Sequence, residues 1–316
     1  MGENALAFAD NPDSMLDHVS TELFKIIDSH FYEDSLNRLV KSFVHYKKAE
    51  TTIWPELTLY SHYMLGGSSP GIYHAAAQTE LIILSLDIFD DLQDQDNFEP
   101  PWMQCGSAIA MNCASGLLVA AIAGRLGKPI DSTALKLLSA AHNGQHKDIE
   151  NAVSTEEEYL KLVSEKSASL ISLAIHMGYQ LIENPNESTA RKLAECSQHI
   201  GIAAQLQNDV KNLTLIQERN DIVQRKKTLA TLFLYDLSKE AFPILSNYYD
   251  GICGIEELAA QEKQLVDFIA TSGVTEYISA VQSLYLQQAD NILRTIPAFP
   301  PWELRFRSIT IEHFHK

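Results

Sequence analysis

Basic residues are scarce in this sequence: 24 lysines and arginines stand against 41 aspartates and glutamates, for a formal charge of −17 over 316 residues. From residue 49 to residue 124 there is not one lysine or arginine. An acidic chain without a Lys/Arg-rich stripe is a poor partner for the phosphate backbone, so no nucleic-acid partner is expected. The same charge repels an anionic ligand, which then has to be held through metal ions or a few placed lysines. Cysteine is scarce as well. Cys105, Cys113, Cys196 and Cys253 have neither CxxC spacing nor histidines at zinc-ligand intervals, and they read as reduced thiols of a cytosolic protein. Long apolar runs are missing: the most apolar stretch, residues 108–124, contains Asn112 and Ser115 and falls short of the ~20 residues a membrane span needs. It reads as a buried helix, so no membrane span is expected. Residues 1–14 are polar and acidic rather than basic-then-apolar, which argues against a leader and for a cytoplasmic location.

What is present is helical. The 46% hydrophobic content suffices for a sizeable core. Apolar residues recur at three- and four-residue intervals over 15–46, 72–92, 132–146, 155–182, 187–215, 226–249 and 265–296. No two-residue alternation and no Gly-rich phosphate loop after a strand appear. Breaks fall at Gly66-Gly67-Ser68-Ser69-Pro70-Gly71, Pro100-Pro101, Gly127-Lys128-Pro129 and Asn184-Pro185-Asn186. Ser154-Thr155 followed by three glutamates is a good helix start. No repeat or linker divides the chain, so one all-α antiparallel helical bundle over 1–316 is expected, with residues 1–14 frayed.

Two polar stripes lie on these apolar helices. In Asp87-Ile88-Phe89-Asp90-Asp91-Leu92-Gln93-Asp94, the aspartates Asp87, Asp90, Asp91 and Asp94 fall within an arc of about 100° on a helix, with Asp96 on the opposite side. They follow the apolar run Leu81-Ile82-Ile83-Leu84, at the end of a core helix. Mutual repulsion there costs roughly a few kcal/mol per close pair, which a hard cation relieves. Magnesium suits such a site, taking one or two carboxylates and completing its shell with water and phosphate oxygens. A solvated acidic helix end would show the same stripe, whereas an EF-hand would need a glycine and a terminal glutamate that are missing. By the same geometry Gln205, Asn208, Asp209 and Asn212 share a face of a second, largely apolar helix. Buried amides could explain that stripe alone; the two together suggest facing metal–diphosphate sites above an apolar cavity.

With these residues and others the chain resembles the class I isoprenoid synthases. Glu80 stands ten residues before Asp90, as in that superfamily's first motif helix. Gly144-Gln145-His146-Lys147-Asp148 resembles its Gly-Gln-x-x-Asp segment. Tyr159 through Lys166-Ser167 resembles its Tyr…Lys-Thr segment, and Asp221 through Lys226-Lys227-Thr228-Leu229 resembles the run after its second motif. Residues 80–97, 64–67, 144–148 and 273–279 further resemble the ComQ-type tryptophan prenyltransferases, which modify a quorum-sensing pheromone precursor peptide. The similarity spans about residues 57–285.

The resemblance implies the isoprenoid-synthase type of bundle and a magnesium-dependent prenyltransferase. It implies Asp90, Asp91 and Asp94 as metal ligands on one side and Asn208, Asp209 and Asn212 on the other. Lys166, Lys226, Gln205 and Gln145 would bind the diphosphate of a geranyl or farnesyl donor, and Ser85 would leave room for the tail. Asp87 is the candidate base, counted with Asp90, Asp91, Asp94 and Asp209 as catalytic. The acceptor would be a tryptophan of a precursor peptide, and relatives are usually homodimers. Chain-elongating synthases hold isopentenyl diphosphate with a Gly-Gly-Lys-Arg-x-Arg-Pro segment and an arginine pair after the first motif. Here Thr51-Thr52-Ile53-Trp54-Pro55 and Asn97-Phe98-Glu99-Pro100 stand in those places. A neutral indole requires no such basic pocket. Asn208 and Asn212 depart from the second DDxxD, and Ile216 stands where a bacterial terpene cyclase needs glutamate. A class I terpene cyclase or an atypical chain-elongating synthase is the alternative. Trp54, Trp102 and Trp302 read as packing residues, and the terminal His313 and His315 do not suggest a metal site.

Overall fold

The computed structural model describes residues 12–50, 53–95, 97–124, 130–214 and 221–315. The chain runs through α1 (Pro12–His30), α2 (Asp34–Ala49), α3 (Trp54–Met64), α4 (Ile72–Asp94), α5 (Pro101–Gln104) and α6 (Ser107–Ala123). It continues through α7 (Ser132–Glu150), α8 (Glu156–Val163), a π-helical turn (Ser164–Ala168), α9 (Ser169–Tyr179) and α10 (Glu187–Thr214). Then come α11 (Leu229–Ala241), α12 (Pro243–Tyr249), α13 (Ile255–Ala259), α14 (Glu262–Thr271), α15 (Val274–Leu293) and α16 (Trp302–Thr310). No strand occurs among the described residues, and the fold is all-α as expected. Among them no helix is long and apolar enough to cross a membrane. All four cysteines are free thiols.

Several expected boundaries move, each for a local reason. Residues 15–46 form two helices because the Glu33 side chain accepts the Leu36 N–H (2.7 Å) and caps a new start. Residues 226–249 divide at Pro243, which lacks an N–H to continue α11. Residues 265–296 divide at Gly273, whose φ of 78° only glycine adopts readily. Residues 155–182 are interrupted by the π turn. Of the 1–14 stretch expected to fray, 1–11 lie outside the described residues, while Pro12 to Ser14 are helical.

Contacts divide the chain into two compact units: the described residues of Met1–Leu138, Leu170–Ala194 and Ile296–His313, and those of Ser139–Ser169, Glu195–Thr295 and Phe314–Lys316. In the first unit α4 is the central helix, with Leu81, Ile82, Ile83 and Leu84 all at most 1% exposed. Burying each such side chain contributes about 1.5–3 kcal/mol. The polar residues of α4 are used for docking. Gln78 Nε2 donates to the Ala121 carbonyl (2.7 Å), and two turns on Ser85 Oγ donates to the Ala114 carbonyl (2.8 Å), which fixes α6 antiparallel to α4. On another side α3 meets α9: Thr58 Oγ1 donates to the Ala174 carbonyl (2.9 Å), and the His62 ring bonds the Gly178 carbonyl through Nδ1 (3.0 Å). A Cβ on Gly178 would stand 2.2 Å from the Thr58 carbonyl oxygen, so glycine sets that spacing. The second unit is built around Tyr159, Leu162, Leu206, Leu229, Leu234, Leu245 and Val274, all buried.

Candidate active site

In the first unit the aspartate stripe emerges at the C-terminal end of α4, where the helix dipole is already negative. Gln95, at a left-handed φ of 52°, donates its N–H to the Asp91 carbonyl and ends the helix there. Asp96 lies outside the described residues. Asp87, Asp90, Asp91 and Asp94 are all partly exposed. Lys47 of α2 reaches Asp87 (2.9 Å) and Glu50 (2.7 Å). Packing around Asp87 pushes its carboxyl above the ordinary range; Lys47 works against that rise and Asp90 and Glu50 add to it. Trp102 Nε1 donates to Asp91 Oδ2 (2.7 Å) from a buried position, with Phe43 and Tyr46 edge-on against the indole. Trp102 is therefore a packing residue, as expected, and also the group that orients Asp91. Ser85 is fully buried, its hydroxyl committed to the α4–α6 contact.

The second unit gathers the other candidate residues around the π turn. A Cβ on Gly144 of α7 would lie 2.3 Å from the Lys166 nitrogen, and one on Gly201 of α10 would lie 2.3 Å from the Ala168 Cα. Two glycines thus let α7 and α10 press against the backbone of the turn. Ion pairs lace the α7 side: Lys166 Nζ to Asp148 (2.6 Å), and Lys147 to Glu165. On the α10 side Ser164 Oγ donates to Gln198 (2.5 Å) and Ser167 Oγ to Gln205 Oε1 (2.8 Å). Gln205 Nε2 in turn donates to Asp209 Oδ1 (2.9 Å), while the buried Tyr159 hydroxyl donates to Asp209 Oδ2. Burial pushes Asp209 up to about 7; Asp221 and Asp148 add to the rise, and the bonds from Tyr159 and Gln205 oppose it. Asn212 Nδ2 stands 3.5 Å from Asp221, Asn208 is exposed, and Gln145 is half-buried beside Gly144. The shared face of α10 therefore runs from the buried Asp209 to solvent at Asn208.

Lys226 precedes α11 in a turn that is held from several directions. Its N–H donates to the Asp221 carbonyl (2.8 Å), and its carbonyl accepts from Thr231 Oγ1 (2.7 Å) and the Tyr249 hydroxyl (3.3 Å). Asn151, just past the end of α7, brackets it. The Asn151 amide donates to the Arg225 carbonyl (2.8 Å) and accepts the Lys227 N–H (3.0 Å).

Among the described residues no three His, Cys, Asp or Glu side chains gather into a ready-made metal group. The donors nonetheless suit a hard cation. They are carboxylate and amide oxygens in like-charged company, and Asp209 is held near neutrality by burial and by neighbouring acids. A cation that brings its own water and phosphate ligands fits such a partial shell.

A sequence model of the polyprenyl synthetase family matches residues 47–260. The chain belongs to the polyprenyl synthetase family. It is accordingly a prenyltransferase. Tryptophan prenyltransferase ComQ of Bacillus subtilis (strain 168) is 32% identical over 276 residues, covering 84% of this chain and 88% of that one. Geranylgeranyl diphosphate synthase of Sulfolobus acidocaldarius is 25% identical over 251 residues, covering 67% and 76%. The crystal structure of geranylgeranyl pyrophosphate synthetase from Pyrococcus horikoshii Ot3 shares the fold, with a TM-score of 0.78 over 95% of each chain at 20% identity.

Sequence reasoning missed Lys47, the indole of Trp102 as a donor to Asp91, Asn151, and the π turn. Asp148 was visible as part of a motif, but not as the partner of Lys166. Nothing in the sequence pairs Lys47 with Asp87, which lies 40 residues on. The glycines at 144 and 201 on otherwise good helices were the available signal of a close backbone approach.

Two outcomes follow. Gly144→Ala forces the Lys166 backbone away and is expected to lower stability by about 1–3 kcal/mol, read as a fall in Tm; an unchanged Tm would contradict the packing. Asp209, at about 7 in the folded protein against an ordinary 3.8, keeps a proton that the unfolded chain has lost. Metal-free stability therefore falls as pH rises through that window, and above it the penalty is complete. In chelator, the Tm of Asp209→Asn relative to the parent should climb with pH up to about 7 and then level off. Parallel profiles would contradict the shift.

Proposed function

We propose that this chain transfers a geranyl or farnesyl group from its diphosphate to a tryptophan of a peptide precursor, with magnesium as the metal. The missing basic half-site carries this reading. Pro55, in the stretch that replaces the basic segment of elongating synthases, lines a pocket of about 260 Å³ together with Lys48, Glu50, Glu56 and Glu80. Lys48 is engaged with Ser20 Oγ (2.7 Å). With Glu50 held by Lys47, a second diphosphate would still meet Glu56 and Glu80 against the one lysine of the lining, whereas a neutral indole meets no electrostatic penalty. The identity with the tryptophan prenyltransferase of Bacillus subtilis supports the same acceptor.

On this reading Asp90, Asp91 and Asp94 of α4, and Asn208, Asp209 and Asn212 of α10, would hold magnesium, which neutralises charge on the departing diphosphate when bound. Lys166 and Lys226 supply fixed positive charge to the same leaving group, Lys166 exchanging Asp148 for phosphate oxygens. Gln205 and Gln145 offer amide hydrogen bonds to it. Trp102 keeps Asp91 oriented. The allylic C–O bond breaks, indole C3 bonds to the allylic carbon, and closure of the peptide nitrogen on C2 releases that nitrogen's proton. Asp87 is the proposed acceptor, its rise from packing favouring the protonated form. We also propose a homodimer, because α6 leaves Ile109, Met111 and Val119 at 49–65% exposure. Light scattering at micromolar concentration should return twice the chain mass, and a monomer mass would refute the dimer.

Mass spectrometry tests the reaction. A tryptophan peptide incubated with protein, magnesium and farnesyl or geranyl diphosphate should gain one prenyl mass, with turnover reduced by about 10²-fold or more in Asp90→Ala. A terpene released from the diphosphate alone would instead indicate a cyclase, and elongated diphosphates on adding isopentenyl diphosphate would indicate a chain-elongating synthase.

A further inference from the structure

A groove of about 730 Å³ in the second unit lies beside Lys226 and has no part in the chemistry above. It is lined from the start of α8 by Glu156, from α11 by Phe233, Tyr235 and Asp236, and from the end of α12 by Tyr249 and Asp250, with Lys227 joining them. Its aromatic side chains are held in place. Phe233 stacks on Tyr277 (5.0 Å between centroids, 17°), and the Tyr277 hydroxyl donates to Glu156 (2.8 Å). The Tyr235 hydroxyl donates to Asp250 (2.9 Å). A phenol donor leaves the charge of Glu156 and Asp250 intact while fixing the direction of each carboxylate. Asp236 is the one that carries a salt bridge, to Lys239 (2.8 Å). Lys239 also lies over the Tyr235 ring (4.4 Å to the centroid), so with Asp236 paired the lining sets Glu156 and Asp250 against Lys227, the wrong sign for a diphosphate and the right one for a basic side chain.

The groove is also joined to the candidate site through backbone. Tyr249 and Thr231 both line it, and both donate to the carbonyl of Lys226. A polypeptide seated there would lie against the two side chains that hold the Lys226 carbonyl.

From this geometry we infer that the α8–α11–α12 groove is the docking site of the acceptor peptide, taking a segment that sets an aromatic or aliphatic side chain against Phe233, Tyr235 and Tyr249 and a basic residue against Glu156 and Asp250. The inference rests on the peptide-acceptor reading and adds where the peptide is held and what it must contain. Rings of this kind give large contact area at low entropic cost, and carboxylates around them select the sign of the partner.

The test uses the full-length protein and two fluorescein-labelled decapeptides, each with one tryptophan and one phenylalanine, one carrying two lysines and the other two glutamates in their place. Anisotropy should show the lysine peptide binding at least about tenfold more tightly than the glutamate peptide. That preference should shrink in Asp250→Asn and Glu156→Gln and fade with added salt. Phe233→Ala should weaken both peptides, while diphosphate release from farnesyl diphosphate without peptide stays at the parental rate in all three variants. If Phe233→Ala loses its fold by circular dichroism, the exposed Asp250→Asn still decides. Equal binding of the two peptides, or affinities unmoved by the variants, overturns the groove as the docking site. So does a change of oligomeric state in the variants, which would make the groove a contact between copies. The two claims separate cleanly. Prenyl transfer to tryptophan with groove variants unaffected in peptide KM keeps the function and removes the groove. Charge-selective peptide binding lost in the variants, with no prenyl mass gained, keeps the groove and removes the function.

Discussion

The second unit is organised by backbone-to-backbone contact at one turn of helix. Gly144 and Gly201 give up side chains so that α7 and α10 can close on residues 164–168, and the chain there widens from α to π. A π turn inserts a residue's worth of rotation and is found mostly where function has a use for it. Here it brings Lys166 to Asp148 on one side and Ser167 to Gln205 on the other. Gln205 passes that order on to Asp209, which Tyr159 holds from beneath. A shift of the turn would move a lysine, an amide and a buried acid together, so these groups of the second unit behave as one assembly.

Charge supplies the second constraint. An acidic chain that handles an anion must place each cation individually, and it does so with supports of different kinds. Lys47 is tied to Asp87 and Glu50, Lys166 to Asp148, and Lys226 is fixed through its own backbone by Asn151, Thr231 and Tyr249. Carboxylates outnumber them, and burial then raises Asp209 and packing raises Asp87. Such groups are poised to lose protons when a metal arrives, coupling metal binding to pH. Family membership and the acid-rich surroundings of Pro55 both bear on the proposed reading, in which an allylic diphosphate would be held and a second diphosphate would be disfavoured.

Much of this could be read from residues. The apolar run 81–84 ahead of spaced aspartates announces a core helix with a charged end, and α4 is that helix, buried from Ala75 to Ser85 and at least partly exposed from Leu86 on except at Ile88. The stripe on α10 and the all-α class were equally open to helical periodicity. What periodicity does not see is interruption by chemistry at a point: the carboxylate cap at Glu33, the missing N–H of Pro243, the positive φ of Gly273. Nor does it see tertiary partners. Lys47 and Asp87 share no local pattern, and nothing local marks Asn151 as the bracket of a lysine 75 residues away. Glycine was the one legible trace of such contacts, at positions 144, 178 and 201, where a methyl group would overlap a neighbouring chain.

The central claim is that one diphosphate has a place in this protein and a second does not. Isothermal titration in magnesium, with a non-hydrolysable farnesyl thiolodiphosphate followed by isopentenyl diphosphate, tests it most directly. The account predicts one allylic ligand per chain and no heat from isopentenyl diphosphate at concentrations that saturate the first. Stoichiometric binding of isopentenyl diphosphate on top of the farnesyl analogue would contradict it.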